Sequence, residues 1–178
     1  MTELSLVYLG NPVLRQKAKE ILVVDDAIKD LVVKMDKLMQ QSQGVGLAAP
    51  QVGLSLRLFV LRDEIEVEED KYEFGPLQVF INPKLSDPSY EMDSMSEGCL
   101  SIPGVRGSVD RPKSITVEAL DKEGKLFKKT FSGLVARIIM HENDHLNGVL
   151  FIDRLPKSLR DSLEPKLRVI KNKYNPSK

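Results

Sequence analysis

Between Ser132 and Asn147 the apolar residues Leu134, Val135, Ile138, Ile139 and Leu146 recur at helical spacing, and the same stretch carries both histidines of the chain, in HENDH. The pattern predicts a helix with Gly148 as its C-cap. On such a helix His141 and His145, four residues apart, share one face, while Glu142 points about 100° away from His141. Two imidazoles and a carboxylate at this spacing can serve one metal ion and one base.

The supply of further ligands is short. The 178 residues contain two histidines and one cysteine, so nitrogen and sulfur ligands number three: Cys99, His141 and His145. A closed structural site of four cysteines, or of two cysteines and two histidines, is impossible within one chain. Three protein ligands leave a position for water, which is the arrangement of a catalytic site. Cys99 lies in EGCLSIPG between Gly98 and an expected turn at Pro103-Gly104, a poor setting for a residue that only fills a core. One cysteine makes no internal disulfide, and MTELSLVYLGNPVLRQ lacks a secretory pattern, so a reducing, cytoplasmic compartment is expected. No apolar run approaches the ~20 residues that span a bilayer. The 26 basic and 26 acidic residues cancel, which gives no global field toward nucleic acid or membrane. Length and composition, 42% hydrophobic and 29% charged, suit one domain over residues 1–178.

Elsewhere, Ile28, Leu31, Val32, Met35, Leu38 and Met39 predict a helix over 25–43, with Asp25 or Asp26 as N-cap and Gly44 at its stop. GVGLAAPQVG is expected to be a loop with close backbone approach, followed by a strand over 56–61, and RDEIEVEED reads as a solvated loop. Ser114 to Leu120 and LFKKTF predict a β-hairpin across DKEG. After the histidine helix, VLFI is a short buried run. Leu159, Leu163, Leu167, Ile170 and Tyr174 then suggest a C-terminal helix over about 157–174 that starts near Pro165 or kinks there. The mixture predicts an α+β fold, antiparallel β-sheets packed around a central metal-binding helix, with an N-terminal and a C-terminal helix. In GVGLAAPQ, Gly44 and Gly46 leave backbone groups bare for an extended peptide to pair with, and Gln51 offers a neutral amide donor near a reacting carbonyl.

Three segments in order, GVGLAAPQ at 44–51, EGCLS at 97–101 and HENDH at 141–145, resemble the three signature motifs of the peptide deformylases. NPVLR, INP at 81–83 and HLNGVLFIDRL extend the likeness over roughly residues 8–155. The resemblance implies removal of the formyl group from the initiator methionine of new polypeptides, with formate released. It implies one divalent metal ion, usually Fe(II) with Zn, Ni or Co as substitutes, held by Cys99, His141 and His145. Glu142 becomes the general base and acid, and Gln51 with the Leu100 N–H holds the oxyanion. Gly44, Val45, Gly46, Glu97 and Gly98 become substrate-binding positions, and Leu134 and Ile138 join Val45 around the methionine side chain. The partners implied are N-formyl-Met nascent chains, with transient proximity to the ribosome, in a bacterial cytoplasm rather than an organelle. Met140 departs from the family, which commonly has Gln before the first histidine; a supporting hydrogen bond is put in doubt there.

Three other readings compete. An ordinary zinc endopeptidase would take a downstream carboxylate such as Glu164 as third ligand. A cysteine hydrolase would pair Cys99 with His141. A binding protein would hold peptide N-termini without turning them over.

Overall fold

The computed structural model describes residues 3–69 and 71–175. It has the expected α+β architecture, with three α-helices and antiparallel sheets. Helix α1, Asp26–Gln41, is capped by the Asp25 carboxylate, which accepts from the Ile28 N–H at 3.0 Å, and stops where the Gly44 N–H bonds to the Met39 carbonyl. Its buried face is Val32, Met35 and Met39.

A five-stranded sheet has the order β1 (Gly46–Ala48), β2 (Leu58–Leu61), β5 (Gln78–Ser86), β8 (Ser114–Leu120), β9 (Leu126–Ser132). Strand β2 is apolar and buried at every position because the sheet is covered on both faces. Phe59 and Leu61 point into a cluster with Phe80, Ile139 and Leu146, whereas Leu58 and Val60 join Met35 and Met39 under α1. The helix on the first face is α2, Gly133–Leu146, which carries the histidines. Met140, where a supporting hydrogen bond was in doubt, is buried in that apolar cluster.

A second sheet pairs β6 (Met92–Cys99) with β7 (Ile102–Pro112). Its apolar residues Ile102, Val105 and Val109 pack with Phe151, Ile152, Leu167 and Ile170. The last two belong to α3, Lys157–Tyr174.

Several local expectations change. GVGLAAPQ is not all loop: Gly46–Ala48 forms β1, with Gly46 opposite Leu61, and Ala49–Val52 is a 3₁₀ turn. Small residues are used there because the strand is wedged between helices and is wholly buried. The acidic segment is a hairpin of β3 (Glu64–Glu68) and β4 (Lys71–Phe74), with a register shift between Glu66 and Glu68. Alternation of Glu with Ile65 and Val67 supports a two-faced ribbon despite the charge. Pro103-Gly104 is not the turn after Cys99. The turn is Leu100-Ser101, and Gly104, at φ +72°, sits in a bulge that sets Gly98 opposite Arg106 and Cys99 opposite Ile102. VLFI ends in a 3₁₀ turn at Phe151–Asp153.

Helix α3 begins at Lys157, so it runs through Pro165 instead of starting there. Pro165 is exposed and cannot donate to the carbonyl one turn back. Pro165→Ala should therefore stabilise the chain by ~1–3 kcal/mol, less whatever the freer unfolded chain offsets. Urea unfolding would show it as a higher midpoint at unchanged slope; an unchanged or lower midpoint would contradict the account of this helix.

Candidate metal centre

Helix α2 lies with its C-terminal half beneath β1 and beside the end of β6. His141 and His145 face the same way, ring centroids 5.2 Å apart. Cys99, the last residue of β6, brings its Sγ to 3.3 Å from His145 Nε2. One donor atom from each of the three residues lies within 4.8 Å of the others. A thiolate and two imidazoles at this separation fit a single divalent ion with a position left open. Among the described residues no other group of three such side chains is gathered in this way. Glu164 is elsewhere, paired with Arg160 at 2.8 Å on α3, so the endopeptidase ligand set is not assembled.

His141 is oriented from behind. Its Nδ1–H donates to Glu97 Oε2 at 3.0 Å, which leaves Nε2 for a metal. Glu97 is itself buried and accepts from Arg111 Nε and Nη2 at 2.6 and 2.9 Å and from Arg137 Nη1 at 2.7 Å. Burial alone would raise its pKa, but hydrogen bonds from Arg111 and His141 hold it well below the usual carboxylate range. Burial likewise works against a charged His141, yet hydrogen bonds to Cys99 and Glu97 push its pKa up to about 10. His145, desolvated and beside His141, is held well below its ordinary value.

Glu142 is almost wholly buried, and its Oε2 has no hydrogen-bond partner. Burial pushes its pKa up to about 7, with His141 opposing and Glu97 adding to the shift. Strand β1 passes directly over it: a Cβ on Gly46 would stand 2.5 Å from Glu142 Oε1 and 2.9 Å from Ile138 Cγ2. Gln51 is also buried. Its Oε1 accepts from the Ala48 N–H at 2.8 Å, which fixes the amide so that Nε2 faces Cys99 Sγ at 3.4 Å.

A cavity of about 670 Å³ opens over these groups. One wall is Gly44, Val45 and Gly46; the other is Glu97, Gly98, Cys99 and Leu100; Ile138, His141 and Glu142 form the floor, and Leu134 stands half exposed at the rim. The residues of the three motifs, with Leu134 and Ile138, are thus brought together, His145 buried under the floor, and Glu164 is left outside. The Glu97 carboxylate, expected among the substrate-binding groups, is turned to His141 and the two arginines. Sequence reasoning missed Arg111, Arg137, Asp144 and Arg154, which link these groups. Arg111 did leave a signal, since it follows Val105 and Val109 on the inward phase of β7. A charge in that phase demands a buried partner.

The sequence profile of the polypeptide deformylase family matches residues 3–161. A peptide deformylase of Borreliella burgdorferi is 49% identical over 160 residues, covering 90% of this chain and 92% of that protein. A plant peptide deformylase crystal structure superposes with a TM-score of 0.88 at 39% identity, over 98% of this chain and 92% of that one. The peptide deformylase of Synechococcus elongatus in complex with actinonin gives 0.80 at 41% identity, over 92% and 85%.

Zn²⁺ or Ni²⁺ added in excess to metal-free protein should raise the melting temperature, because a ligand bound only by the folded state, free at ~1,000 times its Kd, contributes about 4 kcal/mol. Cys99→Ala should abolish that shift and Glu164→Ala leave it intact. Retention of the shift in Cys99→Ala would remove the thiolate from the ligand set.

Proposed function

Since the chain belongs to the peptide deformylase family, we propose that it removes the formyl group from the initiator methionine of newly made polypeptides, with the chemistry divided among Glu142, Gln51 and the Leu100 N–H. The chain is a metallohydrolase, and formylated peptides are its substrates. Cys99, His141 and His145 would hold the divalent ion, which we take to be Fe(II) in the cell, with Zn, Ni or Co as substitutes. When bound, such an ion supplies Lewis acidity toward the formyl oxygen and toward a water molecule.

The observation that carries the reading is the buried, unpartnered carboxyl of Glu142 beside three metal-donor atoms and under the bare backbone of Gly46. A carboxyl with a pKa of about 7 can accept a proton from the attacking water and return it to the leaving amine near neutral pH. The Gln51 amide, held by the Ala48 N–H, presents its donor end to the metal side, and with the Leu100 N–H it would stabilise the tetrahedral oxyanion. The substrate would lie extended between Gly44–Gly46 and Gly98. Its methionine side chain would then rest on Val45, Ile138 and Leu134, where a flexible thioether packs well. Glu97 supports this arrangement through His141. A cysteine hydrolase is the less economical reading, because it leaves His145, which Cys99 Sγ meets at 3.3 Å, and the buried carboxyl of Glu142 without a task.

We place the enzyme in a bacterial-type cytoplasm, transiently near the ribosome where formylated N-termini emerge. Among the described residues no helix is long and apolar enough to cross a membrane. The whole chain, residues 1–178, would act as one catalytic domain.

Formate release from formyl-Met-Ala-Ser tests the assignment. Glu142→Ala should keep one metal per chain and lose nearly all turnover, whereas Gln51→Ala should lower kcat roughly 10²-fold, the usual order for one oxyanion donor. Turnover sensitive to a chelator and restored by metal is expected. An active Glu142→Ala protein would end its role as proton carrier.

A further inference from the structure

Beyond Glu97, the metal helix is tied to the segment that follows it by a chain of ion pairs that reaches solvent. Asp144, one residue before His145 and buried, is bound at both oxygens by Arg154: Nε to Oδ2 at 2.6 Å and Nη2 to Oδ1 at 2.5 Å. Arg111 Nη1 also reaches Oδ2, at 3.0 Å. The remaining nitrogens of Arg111 hold Glu97, which accepts from His141 Nδ1. The sequence of contacts is Arg154, Asp144, Arg111, Glu97, His141, and it begins on a side chain that is 44% exposed.

We propose that Arg154 is a positioning residue for the metal centre. The geometry is a competition between two guanidiniums for one carboxylate. Because Arg154 occupies both oxygens of Asp144 as a fork, Arg111 shares only Oδ2 and keeps its Nε and Nη2 on Glu97. Without Arg154, Asp144 is free to offer both oxygens to Arg111. Arg111 has a second fork, its Nη1–H with the other Nη2–H, and a carboxylate drawn into it pulls the guanidinium plane toward Asp144 and loosens its bonds to Glu97. Glu97 then holds the His141 ring less firmly, and the Nε2 direction needed by a metal is less defined. Arg137 is no substitute, since its Nη1 already serves Glu97 and the Val109 carbonyl and its Nη2 the Asp93 carbonyl. Arg111 and Glu97 are too buried to be cut without leaving an unpaired charge inside the protein. Arg154 lies where water replaces it, so its effect on the site is separable from folding.

This inference rests on the assignment of Cys99, His141 and His145 as metal ligands. Chelator competition on Zn²⁺- and Co²⁺-loaded protein gives the metal Kd, and formyl-Met-Ala-Ser at saturating metal gives kcat and KM. Arg154→Gln should weaken metal binding about tenfold, the lower end for groups behind a ligand, and lower kcat several-fold with KM unchanged. Arg154→Lys should recover part of both, because one ammonium holds one oxygen but not two. Arg62→Gln serves as the control: it removes a comparable bidentate pair, with Asp36 on α1, and should leave both readouts alone. If Arg154→Gln lowers the melting temperature as Arg62→Gln does and leaves the metal Kd and kcat within about twofold of wild type, Arg154 is structural only. Failure of the ligand assignment looks different: Cys99→Ala would then bind metal as the wild type does.

Discussion

The carboxylate of Glu97 is the point through which both strands of the β6–β7 sheet and the metal helix are fixed to one another. It accepts from Arg111 on β7, from Arg137 and His141 on α2, and itself belongs to β6. Such a buried cluster is a poor source of net stability, since several charges are taken out of water and apolar residues of similar size would do as well. What it gives is direction. An apolar contact at the same place would hold α2 against β7 and let the helix slide or turn by fractions of an ångström. Hydrogen bonds to a fork and to a ring nitrogen specify rotation as well as distance. The partners left behind by removal of Glu97 would be two buried guanidiniums, a loss of ~3–5 kcal/mol or more.

The same logic explains why the helix is placed where it is. A metal site built from one helix and one strand end needs both to be immobile, and here the helix is covered by the five-stranded sheet on one side and by the β6–β7 sheet on the other. Stacking of Phe59 on Phe80, 4.7 Å between centroids and directly across the β2–β5 ladder, fills the floor against which Ile139 and Leu146 pack. The helix face that remains is the one bearing Ile138, His141 and Glu142, and it forms the cavity floor.

How much of this was legible in the sequence depended on whether the signal was local. The α2 pattern and the four-residue spacing of the histidines are periodicities of one element, and the fold keeps both: one helix, with the two rings on the same face. Ser114–Leu120 was bounded to the residue because alternation stops where turn residues begin. Cys99 was found by counting, since no other thiol exists. The errors came where tertiary context overrides composition. Gly46-Leu47-Ala48 has weak strand character, yet it pairs with β2 because both of its faces are covered. Pro103-Gly104 carries the composition of a turn, but pairing of Ile102 with Cys99 moves the turn to Leu100-Ser101 and leaves the glycine as a bulge. The acidic segment has the composition of a solvated loop, and the alternation beneath its like charge becomes a hairpin only through the pairing of β3 with β4. Asp144 and Arg154, ten residues apart, have no periodic relation at all, and only the fold shows that they meet.

Gly46 illustrates how one position can answer to two demands that look separate in the sequence. As a bare backbone edge it would offer hydrogen bonds to the extended peptide of the proposed reaction. As a residue without a Cβ it lets β1 settle on Glu142, where any side chain would meet the carboxylate at 2.5 Å. A larger residue would force one of them aside, and the carboxyl, once moved toward water, would relax toward its ordinary pKa near 4.5. A base that weak returns its proton too readily and accepts it too poorly to work in both directions near neutrality. The closeness of the strand is therefore what keeps Glu142 dry, and the dryness is what raises its pKa to about 7. In the reaction proposed above, substrate pairing and proton transfer would depend on the same missing methyl group.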